Sequence, residues 1–278
     1  GWPVEYGGQG RPPIEQFIFF AEVQRAGYPI PLLTLNTVAP TLMKYGTDAQ
    51  KAEFLPQILA GKVHFSIGYT EPNAGTDLAA LQTRADKDGD DYIINGQKVY
   101  TSLAHHADYI WLAVRTDPEA PKHRGISMVM VPRHAEGVSI TPTPNIGDSN
   151  IFTTYYDNVR VPQSMRVGPE NAGWKLITSQ LNHERVSLFT AGIVERFLDE
   201  VKRWARDTPA ATGGRVIQII VGRGLSHMQK AEALMASMWG VEVVKLDFRV
   251  NFREVKGNAA LEKLEKMAGW AELKALKP

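Results

Sequence analysis

The spacing of apolar residues changes twice along this 278-residue chain, and the two changes constrain the fold more than any single motif does. Residues 11–64 carry apolar side chains at intervals of three and four, which predicts helices. Residues 65–167 hold short runs of β-branched and aromatic residues between turn residues, which predicts strands. The helical spacing returns over residues 174–206. The pattern therefore predicts an α+β chain in which a β region separates two helical regions.

These changes divide the chain into three predicted domains. Residues 215–248 and the Lys- and Glu-rich residues 249–278 are expected to add further helices. The chain opens on Gly1 without Met and ends abruptly, so we expect both end domains to be incomplete. The predicted domains are a partial N-terminal helical domain over residues 1–64, an antiparallel β domain over residues 65–172 and a C-terminal helical domain over residues 173–278.

Local signals place several elements within these domains. Thr47 and Gln50 have the spacing of a capping box, so a helix is predicted to begin there and to stop at Gly61. Asn95-Gly96 lies between two β-like runs and predicts a hairpin turn. The predicted strands are Phe65–Tyr69, Leu81–Ala85, Tyr109–Val114, Gly125–Val131, Gly137–Thr141 and Thr153–Val161.

Composition excludes several classes of function. The net charge is +1 and the basic residues are scattered, which argues against a nucleic-acid surface or an anionic membrane patch. The absence of cysteine excludes disulfides, thiolate catalysis and cysteine metal sites, and it fits a reducing cytoplasm. No apolar run approaches the ~20 residues that span a bilayer. No metal site is predicted, because no His or carboxylate pair stands out at helical spacing.

The loop Gly68–Asp77 is the most informative motif. It combines small residues, two threonines, two carboxylates and a proline, and such a loop can offer backbone N–H groups and hydroxyls to a ligand. Thr70 and Thr76 could instead make local bonds within the turn. Glu71 and Asp77 are interpreted as loop-shaping carboxylates, since their proximity in one turn suits a glycosidase pair poorly.

Six segments resemble those of the acyl-CoA dehydrogenases, flavoenzymes that desaturate acyl-CoA thioesters. They are Gly1–Gly10, Gly68–Asp77, Asn95–Ser102, Asp157–Pro162, Gly168–Trp174 and Leu181–Arg185. Within that family, Ser102–Asp108 and Phe152–Tyr156 resemble actinobacterial members that act on steroid side-chain CoA esters. A glycine-rich segment, through which other members meet the adenine half of the flavin across a subunit boundary, has no counterpart after residue 206.

The resemblance implies FAD as the cofactor. It implies that Tyr69 and Thr70 approach the flavin ring, and that Thr76 points toward the flavin phosphate or the CoA arm of the substrate. In the second flavin segment, Tyr100 would stack beside the ring, although cross-strand aromatic packing explains a tyrosine there equally well. The full set of implied cofactor residues is Tyr69, Thr70, Thr76, Tyr100, Thr101, Ser102 and Arg206.

Glu184 is the predicted catalytic base. Desaturation of a thioester requires a base for the α-proton, stabilisation of an enolate-like oxygen and a cofactor that accepts the hydrogen from the β-carbon. The resemblance places Glu184 at the family's base position and Arg185 on the substrate side. Both residues are equally compatible with an exposed Glu-Arg pair on a helix surface.

The sequence thus predicts FAD-dependent α,β-dehydrogenation of an acyl-CoA, with a steroid side-chain CoA ester as the narrower expectation. Electron-transfer flavoprotein is the expected acceptor, and a homo- or hetero-oligomer is the expected assembly. Two alternatives stay open. One is a non-catalytic structural subunit of a heteromeric acyl-CoA dehydrogenase, and the other is an acyl-CoA oxidase-like enzyme.

Overall fold

The computed structural model describes residues 1–145, 151–187, 191–207, 246–247 and 253–254. The chain divides into two compact units, Gly1–Gly192 and Ile193–Pro278. None of the helices in the described ranges is long and apolar enough to cross a membrane. All of the cavity and network described below lies in the first unit.

The N-terminal part is helical, as predicted. Helix α1 spans Pro13–Ala26, α2 spans Ala39–Tyr45 and α3 spans Asp48–Leu59, and a π-helical turn at Thr34–Val38 leads into α2. The predicted capping box of α3 is confirmed, since the Gln50 backbone N–H donates to Thr47 Oγ1 at 3.2 Å and the Thr47 N–H donates to Gln50 Oε1 at 3.0 Å.

Eight strands form the middle of the chain. Their spatial order, with the residue range of each strand, is β6 (Val138–Pro142), β7 (Ile151–Pro162), β3 (Asp91–Ser102), β2 (Arg84–Asp88), β4 (Tyr109–Arg115), β5 (Ile126–Pro132) and β8 (Arg166–Val167), and β1 (Phe65–Gly68) pairs with β4. Most pairings are antiparallel, but β1 runs parallel to β4, and Arg84 of β2 pairs in parallel with Arg115 of β4.

The predicted hairpin at Asn95-Gly96 is wrong. Strand β3 runs through both residues, and the β2–β3 turn lies at Gly89-Asp90, where Gly89 takes the left-handed φ of 61°. Gly96 instead forms a bulge, where the pairing of β3 with β7 shifts register. A Cβ at Gly96 would lie 2.6 Å from Thr83 Oγ1, so glycine is required there by close approach of a neighbouring chain segment.

The predicted strand Leu81–Ala85 is also displaced. A short 3₁₀ turn occupies Leu78–Ala80, and β2 begins only at Arg84. The loop that starts at Gly68 therefore continues with turn structure up to β2.

The second helical region begins where the sequence predicts it. Helix α4 spans Gly173–Ser187 and α5 spans Ala191–Asp207. Most of residues 215–278, predicted to be helical, lies outside the described residues. Where the structure describes this stretch, the prediction is wrong: Leu246–Asp247 and Arg253–Glu254 form two short antiparallel strands, β9 and β10.

The strands β4 and β5 are buried on both faces. Trp111 and Ala113 of β4 face one apolar cluster, which also contains residues of α2, α3 and α4. Ile110, Leu112 and Val114 face a second cluster formed mainly by the strands. Leu176 and Ile177 of α4 belong to the first cluster, so α4 packs against that face of the sheet.

Candidate active site

A cavity of about 210 Å³ lies where β1 ends and β3 bulges, beside α4. It is smaller than the ~300–1,000 Å³ of a complete ligand pocket, so it suits one part of a larger ligand. The lining combines aliphatic residues with two tyrosines, one threonine and one serine. Its residues are Leu33, Ile67, Tyr69, Thr70, Val99, Tyr100, Ser102 and Leu181.

Four of the predicted cofactor residues meet at this cavity. Tyr69 and Thr70 come from the loop after β1, and Tyr100 and Ser102 come from the end of β3, about thirty positions later. The Val99 N–H donates to the Thr70 carbonyl at 2.8 Å, and this bond holds the two segments side by side. Thr76 is exposed further along the loop and does not line the cavity.

The end of β3 departs from regular strand geometry. Alternation along a strand predicted that Tyr100 and Ser102 share one face, but the β3–β7 pairing shifts register between Lys98 and Thr101. Tyr100 adopts a φ of 58°, which is strained for a side chain of its size, and its ring is 64% exposed. Both residues still border the cavity because of this bulge.

Thr101 points away from the cavity. Its side chain is fully buried, and Thr101 Oγ1 lies 3.4 Å from Thr154 Oγ1 of the neighbouring strand β7. The Thr101 side chain therefore does not line this cavity, and its predicted contact with the cofactor stays a prediction. The bulge at Tyr100 places residues 100 and 102 at the rim and turns residue 101 inward.

A buried ion pair supports the loop from beneath. Lys98 is wholly buried, and its Nζ donates to Glu71 Oε1 at 2.7 Å and to the Tyr69 carbonyl at 3.1 Å. Glu71 also accepts the backbone N–H groups of Gln82 and Thr83 at 2.7 and 2.9 Å. Glu71 thus shapes the loop, as predicted, and joins both of its ends to β3.

The two partners of this pair respond differently to their surroundings. Burial raises the pKa of Glu71, but the Lys98 charge and the donated hydrogen bonds outweigh burial and leave the pKa lowered. Burial lowers the pKa of Lys98 to about 8 despite the opposing charge of Glu71. The difference follows from the hydrogen bonds, since the ionised Glu71 accepts bonds from Lys98 and from the Gln82 and Thr83 segment, whereas Glu71 is the main group that favours the charged form of Lys98.

Arg115 secures the far side of the loop. Its guanidinium donates to the carbonyls of Ala79 and Leu81 at 2.6 and 3.2 Å and to the Lys122 carbonyl at 2.9 Å. Lys122 in turn forms an ion pair with Asp77. The loop is therefore held at its beginning by Lys98 and at its end by Arg115.

The Tyr69 side chain enters the protein interior. Its hydroxyl donates to Gln180 Oε1 of α4 at 2.6 Å, and the Trp111 indole lies 3.2 Å from the same hydroxyl. Tyr69 is only 9% exposed. The Tyr69 hydroxyl is thus hydrogen-bonded in the interior, so a ligand in the cavity would meet the Tyr69 backbone and not its hydroxyl.

The remaining predicted site residues cannot be located at side-chain level. Glu184 and Arg185 belong to the last turn of α4, and Arg206 belongs to the end of α5, but their side chains lie outside the described residues. Within the described ranges, no group of three or more His, Asp or Glu side chains could hold a metal ion.

The sequence prediction missed several residues of this region. Lys98, Leu33 and Leu181 were not assigned to the site, and neither were Trp111 and Gln180. For Lys98 a signal was present, because it shares strand parity with the apolar Tyr92 and Ile94 and so belongs to the buried face. The contacts of Gln180 and Leu181 depend on how α4 packs and have no local signature.

The cavity has the chemistry of a flavin-ring site. Aliphatic residues, an exposed aromatic ring at its edge and two hydroxyl residues suit a flat, largely apolar ring with polar edges. The described residues thus fit the ring end of FAD.

Three family models match the chain in order. They are the N-terminal domain of acyl-CoA dehydrogenase over residues 1–62, the middle domain over residues 66–159 and the C-terminal domain over residues 171–245. The chain belongs to the acyl-CoA dehydrogenase family. This family consists of oxidoreductases that act on the CH–CH bond of acyl-CoA and are in general flavin-dependent.

Individual relatives support the assignment. Acyl-CoA dehydrogenase FadE26 of Mycobacterium tuberculosis is 59% identical over 244 residues, which cover 86% of this chain and 61% of the relative. The solved Tcur3481-Tcur3483 steroid ACAD is 52% identical with a TM-score of 0.72, covering 85% of this chain and 59% of that one. The ChsE4-ChsE5 complex from M. tuberculosis is 59% identical with a TM-score of 0.70, covering 75% and 55%. The chain thus spans about 60% of the length of these relatives.

Proposed function

We propose that this chain provides the flavin-ring and thioester side of a site for FAD-dependent α,β-dehydrogenation of an acyl-CoA to the 2-enoyl-CoA. The observation that carries the proposal is the cavity in which Tyr69 and Thr70 meet Tyr100 and Ser102. Two motifs of the family, distant in sequence, converge there on one small apolar space. Bound FAD would supply the acceptor for the hydrogen that leaves the β-carbon.

The residues of this chain would bind the flavin ring, orient the acyl-CoA and remove its α-proton. Thr70 and Ser102 would offer hydroxyls to the polar edge of the ring, and Ile67 and Leu181 would exclude water from one side. Glu184 would accept the α-proton, and Arg185 would lie on the substrate side. Removal of water strengthens the hydrogen bonds in such a site and makes the α-carbon easier to deprotonate.

The absorption spectrum of the purified protein tests flavin binding. The flavin bands should be present near unit stoichiometry in the parent. Thr70→Val and Ser102→Ala should each lower flavin occupancy or shift the spectrum, since each removes a hydroxyl at the cavity. Thr178→Val on the exposed side of α4 and Ser164→Ala are matched controls. An unchanged spectrum and occupancy in both cavity variants would overturn the assignment.

Anaerobic single-turnover reduction of the flavin tests the catalytic base. Glu184→Gln keeps size and hydrogen bonding but removes basicity, so reduction by acyl-CoA should slow by about 10²–10⁴-fold while acyl-CoA binding persists. Glu200→Gln, at an exposed glutamate of α5 that pairs with Arg196, is the control. Reduction at nearly the parental rate in Glu184→Gln would place the base elsewhere.

We further propose a steroid side-chain CoA ester as substrate. Support comes from the solved steroid ACAD at 52% identity and from the runs Ser102–Asp108 and Phe152–Tyr156. Reduction rates should be compared across saturated acyl-CoA esters from butyryl-CoA to palmitoyl-CoA and a CoA ester of a steroid side-chain acid. Fastest reduction by a straight-chain ester would reject this substrate class and leave the dehydrogenase proposal intact.

The assembly is proposed to be an oligomer that contains a second, related chain. The support is that two of the similar solved structures are described as Tcur3481-Tcur3483 and as the ChsE4-ChsE5 complex. Electron-transfer flavoprotein is the proposed electron acceptor. A chain that binds no flavin alone or with a partner would favour the structural-subunit alternative, and reoxidation by oxygen at the turnover rate would favour the oxidase.

A further inference from the structure

A hydrogen-bonded triad joins three elements beneath the cavity. Tyr69 follows β1, Trp111 lies in the middle of β4 and Gln180 lies in α4. Trp111 and Gln180 are fully buried and Tyr69 nearly so. The Tyr69 hydroxyl lies 2.6 Å from Gln180 Oε1, and Trp111 Nε1 lies 3.0 Å from the same oxygen and 3.2 Å from the hydroxyl.

The direction of each bond follows from the chemistry of the indole. Trp111 Nε1 can only donate, so the atom of Gln180 that faces it must be the amide oxygen. That oxygen has two lone pairs, and it accepts from both Trp111 and the Tyr69 hydroxyl. The amide cannot be turned round without setting an N–H against the indole N–H. The triad therefore has one orientation for each of its three groups.

The arrangement has an energetic cost, which lies in the amide nitrogen of Gln180. Gln180 Nε2 is buried and has no hydrogen-bond partner among the described residues. An unsatisfied buried donor costs free energy that a leucine or methionine at this position would avoid. A glutamine held there at such a cost suggests a role other than stability.

The hydrogen bonds of Gln180 constrain the position of α4 along and around its axis, which apolar contacts do only weakly. Leu176 and Ile177 attach α4 to the core through apolar packing, which constrains the distance to the sheet more than the position along the helix axis. Hydrogen bonds weaken steeply with misalignment, so the bonds of Gln180 fix α4 along and around its axis. Gln180 lies four positions, about one helical turn, before Glu184.

We propose that Gln180, held by Tyr69 and Trp111, is a positioning residue that sets the location of α4, and with it Glu184, relative to the loop at the flavin-ring cavity. The inference rests on the proposed function, since it assigns Glu184 as the base. Tyr69 belongs at once to the cavity lining and to the triad, so one residue connects the cavity to α4. A shift of the base by about 1 Å would be enough to slow proton removal by about 10²-fold.

Two variants of the 278-residue chain test the proposal. Tyr69→Phe removes one donor and keeps the ring, and Gln180→Met removes the acceptor at similar length. The matched control is Thr178→Ala, because Thr178 is exposed on the same helix and its hydroxyl donates to the carbonyls of Trp174 and Lys175 within the same helix. Amide hydrogen exchange of α4, FAD content, acyl-CoA affinity and the single-turnover rate of flavin reduction are measured for each.

Both triad variants should speed amide exchange in α4 relative to Thr178→Ala. They should lower the rate of flavin reduction about 10–100-fold while FAD content and acyl-CoA affinity stay within about twofold. The double variant should be no slower than the slower single variant, because the two side chains act through one network.

Two results would overturn the proposal. One is α4 exchange equal to that of the control in both variants, and the other is a reduction rate that falls only in proportion to lost FAD. If the parent itself is reduced by no acyl-CoA ester, the proposed function fails. The exchange measurement still decides whether the triad holds α4.

Discussion

The two ends of strand β3 are secured by ion pairs of opposite kinds. At its start, Arg160 of β7 pairs with Asp88 and Asp91 at the β2–β3 hairpin, and these side chains are partly or largely exposed to solvent. Near its other end, Lys98 and Glu71 pair in the interior beneath the cavity. One strand thus carries a solvated charge cluster at one end and a desolvated pair at the other.

The two pairs differ in the energetic cost of the unpaired charge that remains when one partner is removed. Water solvates an exposed aspartate that has lost its arginine, and exposed pairs therefore contribute little. A buried carboxylate that has lost its lysine keeps only its backbone hydrogen bonds, which leaves it without an opposite charge at a cost of several kcal/mol. The start of β3 should accordingly tolerate substitution, and the end beside the cavity should not.

Loss of Lys98 is expected to have the largest effect. Lys98→Met keeps most of the volume but leaves Glu71 buried and unpaired, so the free energy of unfolding of the first unit should fall by about 3–5 kcal/mol. Urea unfolding measures this. The double variant Lys98→Met/Glu71→Gln should recover part of the loss, because no bare charge is left. A loss below about 1 kcal/mol in the single variant would mean that the pair behaves like the exposed cluster.

The pH dependence of stability is the next largest effect. The pKa of Lys98 is about 8 in the folded chain against its usual 10.5, so between these values the unfolded chain binds more protons than the folded chain. Stability should therefore rise with pH across that window, by at most about 3 kcal/mol. Glu71 and Arg115 are the charged groups that act on Lys98. The rise is read as the difference between the parent and Lys98→Met in urea unfolding at pH 7.5–10.5. A flat difference would contradict it.

Gly96 lies between the two ends and should show an intermediate effect. A Cβ at this position would approach the Thr83 backbone Cα to 2.7 Å, at a φ of 148°. Gly96→Ala should therefore cost about 1–3 kcal/mol in unfolding free energy. Gly89→Ala is the comparison, since a Cβ there meets no atom within 4 Å and the strain comes only from the left-handed φ. Equal losses at both glycines would show that close approach to Thr83 is unimportant.

Loss of Arg160 should have the smallest effect. Arg160→Ala removes both exposed pairs at the hairpin, and the thermal unfolding midpoint should stay within about 2 °C of the parent. High salt should remove the remaining difference, because salt screens exposed charges. If Arg160→Ala lowered the free energy of unfolding as much as Lys98→Met does, the contrast between the two ends of β3 would be wrong.

Patterns that depend on neighbours in sequence were predicted well. The capping box of α3 and the strands from Tyr109 to Val161 need only local spacing, and they are found within a few residues of their predicted positions. The Asn95-Gly96 prediction was wrong because a glycine can serve either a turn or a close approach, and only the position of Thr83 decides between them. Local sequence does not contain that position.

The candidate site divides in the same way. The family motifs identified Tyr69, Thr70, Tyr100 and Ser102, which share the cavity, but they also included Thr101, which the bulge turns inward. The partners of the Tyr69 hydroxyl come from residues more than forty positions away, so no local pattern could reveal them. The sequence therefore predicted residues at the rim of the cavity but did not predict the buried side chains that contact Tyr69.

Tyr100 carries a consequence for evolution in the laboratory. Its left-handed backbone costs about 1 kcal/mol or more for a non-glycine residue, and its ring recovers little of that because it is largely exposed. A library selected only for thermal survival would therefore enrich Tyr100→Gly, whereas a library selected for turnover would retain the aromatic ring. Sequencing both selected pools would show which residues at the end of β3 are favoured by stability and which are favoured by catalytic turnover.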